Sequence, residues 1–191
     1  MINHEECPNK TDNELVKLSL DNPDHFLCLT RRYESKLLHY ILRLSKFRSE
    51  EASDILQDVF VKTYYNLNGF NDSLKFSSWI YRIAHNQTVS EIRKKSIRPS
   101  LPFEKEDIDR FEEAFDITKE IDDVFDKERI NKALSLLDDK YREVLALRFL
   151  DEKDYVEISD ILKKPISTVG NLILRGKKLF KKEYERLTYG K

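Results

Sequence analysis

The chain has 191 residues, 36% of them charged and 40% hydrophobic, with 4 glycines and 5 prolines, a balance that favours helices over a sandwich or barrel. No run approaches the roughly 20 apolar residues of a membrane span, and residues 1–10 lack the basic and apolar segments of a signal peptide, so the protein is expected to be cytoplasmic, without direct membrane insertion. The formal net charge of −1 hides a segregation: residues 96–126 hold eleven acids and four bases, while residues 172–191 hold seven bases and two acids, which suggests different partners for different parts.

Thr11-Asp-Asn-Glu14 reads as a capping box opening a short helix to about Leu20, broken at Asp21-Asn-Pro23. A longer helix follows from about Asp24 to Ser45, with Phe26, Leu29, Tyr33, Leu37, Tyr40, Ile41 and Leu44 recurring at three and four. Ser49 is the expected cap of a third helix ending near Leu67. It carries Ile55, Val59, Phe60 and Thr63 on one face. After a polar loop at 66–73, a fourth helix runs from about Lys75 to Lys95 on the stripe Phe76, Trp79, Ile80, Ile83 and Ala84. Cys7 and Cys28 belong to no Cys-x-x-Cys pair and have no His at zinc-finger spacing. They read as one tail thiol and one thiol buried in a helix, with no metal and no cofactor expected.

Pro99 and Pro102 end this domain, and the acidic stretch at 98–126 reads as a linker. Helical period then returns in three steps: Ile130, Ala133, Leu134 and Leu137; Tyr141, Val144, Leu145, Leu147 and Arg148; Val156, Ile158, Ile161 and Leu162, the last starting near Asp154 or Tyr155. Lys163-Lys-Pro-Ile166 is a turn, and Ser167 is the expected cap of a last helix holding Val169, Leu172, Ile173, Leu179 and Phe180. That order is the helix-turn-helix pattern. The fold class is all-α: two small helical domains, 1–97 and 127–191, joined by the acidic linker at 98–126.

Three surfaces stand out. Asp54, Gln57, Asp58 and Val61 lie at i, i+3, i+4 and i+7 and share one side of the third helix. On spacing alone this is a solvated face, and no nearby His or third carboxylate supports metal or acid–base chemistry. Phe70, Asn71, Asp72 and Ser73, followed by Lys75, Arg82 and Asn86, bring an aromatic, amides and cations around one loop, a set able to hold an unstacked base; Arg93 and its neighbours form a phosphate-contacting cluster. Trp79 shares its stripe with Phe76 and Ile83, so core packing is its first reading and a stacking platform its second. In the last helix, Ser167, Thr168 and Asn171 face the N-terminal end, with Arg175, Lys177 and Lys178 further on, as in helices that read a major groove.

Asp54-x-x-Gln57-Asp58-x-Phe60, with Phe70 and Phe76-x-x-Trp79-Ile-x-x-Ile83-Ala-x-Asn86, resembles region 2 of an extracytoplasmic-function (ECF) sigma factor of bacterial RNA polymerase. Leu134-x-x-Leu137, Arg142-Glu-Val-Leu-x-Leu147-Arg148, Ile158-x-x-Ile161, Ser167-Thr-Val169 and Arg175-x-x-Lys178-Leu179 resemble region 4. The resemblance implies a subunit that binds core polymerase, reads −10 and −35 promoter elements and aids melting. Asp54, Gln57, Asp58 and Val61 would dock on the largest-subunit coiled coil, with the flap region as a second contact. Phe70, Asn71, Asp72, Ser73, Lys75, Arg82, Asn86 and Arg93 would meet −10 DNA. Ser167, Thr168, Asn171, Arg175, Lys177 and Lys178 would meet −35 DNA. The acidic linker would run through the polymerase's RNA channel, and an anti-sigma factor would be the regulator. Two departures stand out: Ser90 occupies a position where such proteins carry Asp, and Gly170-Asn171-Leu172 stands where they carry Lys-Ser-Arg. The rival reading is a stand-alone helix-turn-helix regulator with an N-terminal sensor or dimerisation domain. An enzyme using Asp54 and Asp58 is more distant, and no catalytic residue is expected.

Overall fold

The computed structural model describes residues 7, 9–45, 47–95 and 123–190, with the backbone alone at 123–128. Among them all regular structure is helical, as expected, and the chain divides into two compact units, Met1–Leu42 with Phe47–Ser96, and Arg43–Lys46 with Ile97–Lys191. Most of the acidic stretch read as a linker, 98–122, lies outside the described residues.

In the first unit, α1 (Asp12–Asp21) opens on the expected capping box: the Thr11 N–H donates to Glu14 Oε2 at 2.7 Å and the Glu14 N–H to Thr11 Oγ1 at 3.3 Å. Asn22 then accepts the Asp24 N–H at 3.1 Å, a 3₁₀ turn spans Pro23–His25, and α2 (Phe26–Leu44) follows. The next helix, α3, runs Ser49–Tyr65, and here Ser49 is not the cap. Arg48 holds that position in extended backbone, and its N–H is satisfied by Glu51 Oε2 at 2.9 Å, the reach-back half of a capping box. A 3₁₀ turn at Leu67–Gly69 and a short loop lead to α4 (Phe76–Lys95).

Most of the predicted stripes form the core, while Leu44, Phe60 and Ile83 are half-buried. Leu29, Leu37, Ile41, Val59, Ile80 and Ala84 are fully buried, and Trp79 is buried beside them. Aromatic rings bridge the helices: Tyr33 meets Phe76 edge-on at 5.6 Å, and Tyr40 meets Tyr81 at a tilt at 5.1 Å. The cysteines depart from expectation. Cys7 and Cys28 form a disulfide across a sequence separation of 21, with Cα atoms 5.5 Å apart. The same corner is closed by Arg32, whose guanidinium pairs with Asp12 at 2.6 Å and donates to the Cys7 and Lys10 carbonyls at 2.8 Å each.

In the second unit, α5 (Asp123–Ser135) starts inside the stretch read as linker. It is followed by α6 (Asp139–Phe149), α7 (Tyr155–Leu162) and α8 (Ile166–Tyr189), and α8 packs on all three. Ile130, Leu134, Val144, Leu145, Leu147, Ile158 and Val169 are wholly buried between them. Gly176 makes the seam between α6 and α8 close: a Cβ there would lie 3.3 Å from Leu145 Cγ and Cδ1.

Candidate nucleic-acid interface

On α3, Ala52, Ile55, Leu56 and Val59 turn inward, which leaves Asp54, Gln57, Asp58 and Val61 exposed on the outer side. Asp58 is not simply solvated. Its Oδ2 accepts the Gln87 side-chain N–H at 3.0 Å, and the Gln87 carbonyl accepts a hydrogen bond from the Lys62 ammonium. Lys94 is held above its ordinary pKa, first by its hydrogen bond to Glu91 and also by the nearby Asp58 carboxylate.

Beside this network lies an open groove of about 500 Å³, walled by Lys62, Asn66 and Gly69 on one side and by Trp79, Ile83, Asn86, Gln87 and Ser90 of α4 on the other. Of the residues expected to take a base, Asn86 lines it. Phe70 is half-buried and packs on Phe76 at 5.5 Å and Trp79 at 5.2 Å, so its ring backs onto the core cluster. Asn71, Asp72, Ser73 and Lys75 are exposed in the loop that enters α4, where Asn71 Oδ1 accepts the Ser73 N–H at 3.0 Å. That loop is fastened to α1: Asn13 donates to the Asp72 carbonyl at 3.2 Å, and Lys17 lies 3.7 Å from the Asp72 carboxylate. Arg82 is half-buried and Arg93 exposed on α4.

Lys62, Asn66 and Gln87 are groove residues that the sequence reading missed. A signal existed for Gln87, which extends the stripe of Phe76 and Ile80 as an amide that is buried like them, and a buried amide calls for partners. The partners themselves come from another helix.

In the second unit, the Asp154 carboxylate accepts the Glu157 N–H at 2.8 Å and starts α7. Lys163, in the left-handed region at φ 53°, ends α7, and Ser159 closes the turn by donating to the Lys164 carbonyl at 2.6 Å. Pro165 then occupies the cap position of α8, so Ser167 lies inside the helix with its hydroxyl exposed rather than capping it. Proline has no N–H to satisfy and its fixed φ suits the entry to a helix. Ser167, Thr168, Asn171, Arg175 and Lys178 are all exposed. Lys177 is half-buried, with its ammonium 5.1 Å over the Phe149 ring. No Cβ-sized obstacle surrounds Gly170.

The family described as Sigma-70 region 2 matches residues 29–97, and that described as Sigma-70, region 4 matches residues 127–180. The ECF RNA polymerase sigma factor SigW of Bacillus subtilis (strain 168) is 33% identical over 171 residues, covering 86% of this chain and 91% of its own. The ECF RNA polymerase sigma-E factor of Escherichia coli (strain K12) is 27% identical over 179 residues, covering 87% and 91%. Two solved structures share the fold. RpoE of Bartonella quintana, solved with the anti-sigma factor NepR, has a TM-score of 0.63 at 18% identity, over 84% of this chain and 96% of that one. CnrH, solved with the cytosolic domain of CnrY, has a TM-score of 0.62 at 20% identity, over 90% and 96%.

Proposed function

The chain belongs to the ECF RNA polymerase sigma factors, and from that premise we propose that its three surfaces divide the work of initiation: α3 docks on polymerase, the groove takes a −10 base, and α8 reads the −35 element. As a sigma factor the protein is a non-enzymatic subunit that directs promoter-specific transcription initiation, which sets aside the stand-alone regulator.

The docking residues are Asp54, Gln57, Asp58 and Val61, an acidic and amide face with one apolar contact, suited to a basic coiled coil of the largest subunit. The flap region is the second contact on polymerase. The observation that carries the −10 reading is the groove beside that face. Its Trp79 and Ile83 give an apolar wall for a base, and Asn66, Asn86 and Gln87 give amides for its edge. Lys62 gives a cation for phosphate. Extruding a base costs a few kcal/mol; full stacking on an aromatic returns roughly 1–3 kcal/mol, and Trp79, with little surface open to the groove, supplies part of that. Phe70 supports that wall from behind, while Asn71, Asp72, Ser73, Lys75, Arg82 and Arg93 flank the path of the strand. Ser90 stands inside the groove where the family resemblance calls for Asp, so a hydroxyl that donates and accepts replaces a charge that only accepts. That exchange alters base preference in the groove.

At the other unit, Ser167, Thr168 and Asn171 read base edges while Arg175 and Lys178 hold phosphate, with Lys177 directed at Phe149 until DNA competes for it. Regulation is by an anti-sigma factor, a reading supported by the family and by the Bartonella quintana neighbour, which was solved with one. The place of work is the cytoplasm, with the polymerase.

Transcription reconstituted from purified chain and core polymerase on genomic promoters tests the whole reading. Asn86→Ala is expected to lower open-complex formation more than closed-complex binding, and equal loss of both would reject the groove as the base site.

A further inference from the structure

Gln87 touches both of the first unit's functional surfaces at once. An amide has a direction: its N–H₂ end seeks anions and its carbonyl end seeks cations. In this unit the N–H₂ end meets Asp58, on the face read as the polymerase dock, and the carbonyl end meets Lys62, whose stem walls the groove read as the base site. The side chain is only 8% exposed, so its two ends are held where they are and water cannot readily replace either partner.

The geometry points to Gln87 as a positioning residue that couples polymerase docking to nucleic-acid capture, a link that rests on the reading of α3 and the groove given above. The Gln87 amide holds one oxygen of Asp58, Oδ2, so a cation from the docking partner that takes that oxygen displaces the amide. The amide then loses its anion and the electrostatic pull that orients its carbonyl toward Lys62. Lys62 is exposed and anchored by no other side chain among the described residues, so its ammonium becomes free to meet a phosphate in the groove. Linkage makes the effect reciprocal: a strand that draws Lys62 into the groove releases the bridge and strengthens docking by the same factor.

The test uses the full chain, core polymerase, and a labelled single strand carrying the non-template −10 region of a promoter that the holoenzyme transcribes. The Kd for core is measured with and without saturating oligonucleotide, for the natural chain, for Gln87→Met and for Lys62→Gln. Met keeps the shape of the buried side chain without either hydrogen bond, and Lys62 is exposed, so its replacement does not threaten the fold. The natural chain is expected to bind core about tenfold more tightly in the presence of the oligonucleotide, within the usual range of coupling between sites. In both variants that ratio falls to about one, whatever happens to the separate affinities. A fold defect alone would change the affinities and leave the ratio. A ratio near one in the natural chain, or a ratio preserved in either variant, overturns the bridge alone. An oligonucleotide that fails to bind the natural holoenzyme at all overturns the base-site reading, and the bridge with it.

Discussion

Two glycines of α8 make opposite demands, and comparing them removes the quantity hardest to know. Alanine at either position gains the same intrinsic helix preference, about 1 kcal/mol. At Gly170 the added methyl meets nothing within 4 Å, so the gain is realised in full. At Gly176 it meets Leu145 Cγ and Cδ1 at 3.3 Å, below the roughly 3.5–4.0 Å of a comfortable carbon contact, with Cδ2 at 3.5 Å on its lower edge. Leu145 is wholly buried and α6 cannot retreat without opening the core, so overpacking costs about 1–3 kcal/mol. Because the preference term cancels, the two variants differ by that cost alone. In a unit of this size 1 kcal/mol moves the midpoint by about 4–8 °C. Gly170→Ala is therefore expected to melt above the natural chain, and Gly176→Ala on the order of 5–20 °C below Gly170→Ala. The chain has a single tryptophan, Trp79, in the first unit. The second unit is thus read from the loss of helical circular dichroism that tryptophan emission does not follow. Coincident midpoints, or Gly176→Ala above Gly170→Ala, would refute close packing at the α6–α8 seam.

Asp58→Arg, which reverses the charge at the centre of the docking face, is expected to abolish co-purification with core polymerase while leaving the circular dichroism spectrum unchanged; unchanged co-purification removes α3 as the dock. Reducing the Cys7–Cys28 bond frees a loop of sequence separation 21, which on chain entropy costs about 3 kcal/mol. The Trp79 emission midpoint in guanidinium should fall accordingly in a thiol reductant and not in Cys28→Ser, which has no bond to lose. Glu14 and Glu51 titrate below the ordinary glutamate value of 4.5, Glu14 because Thr11 donates to it from side chain and backbone, Glu51 because Lys95 and then the Arg48 N–H donate to it. Carboxyls lowered on folding contribute stability above pH 4.5 that is lost as pH falls through their folded values. The first unit should lose stability in that acid window, and Glu14→Gln with Glu51→Gln should flatten the loss; an unaltered acid slope would remove the caps as its cause.

Helix positions and their buried sides were legible because burial imposes a period on the sequence, and Thr11 was legible as a cap because the acid three residues on is part of the pattern. Ser49 and Ser167 show the limit of that rule. Each lies just inside its helix, because Arg48, with its N–H on Glu51, and Pro165, with no N–H to satisfy, hold the cap position. Periodicity also assigned Leu179 to the core, yet it is 37% exposed, because the buried stripe of α8 runs through Val169, Ile173, Gly176, Phe180 and Tyr184 and leaves Leu179 beside it. What no spacing encodes is pairing between elements. Cys7 with Cys28, Gln87 with Asp58 and Lys62, and Phe70 against Trp79 all depend on where one segment settles against another.

The fastening of the loop at Asp72 to Asn13 and Lys17 has a practical side. The family match to the first region begins at residue 29, and a fragment cut there for crystallisation or for screening promoter strands would look complete by sequence. It would discard α1, whose Leu15 and Val16 are buried, together with both tethers of the loop. Such a fragment would present the groove with one bank loosened, and weak strand binding by it would reflect where the chain was cut.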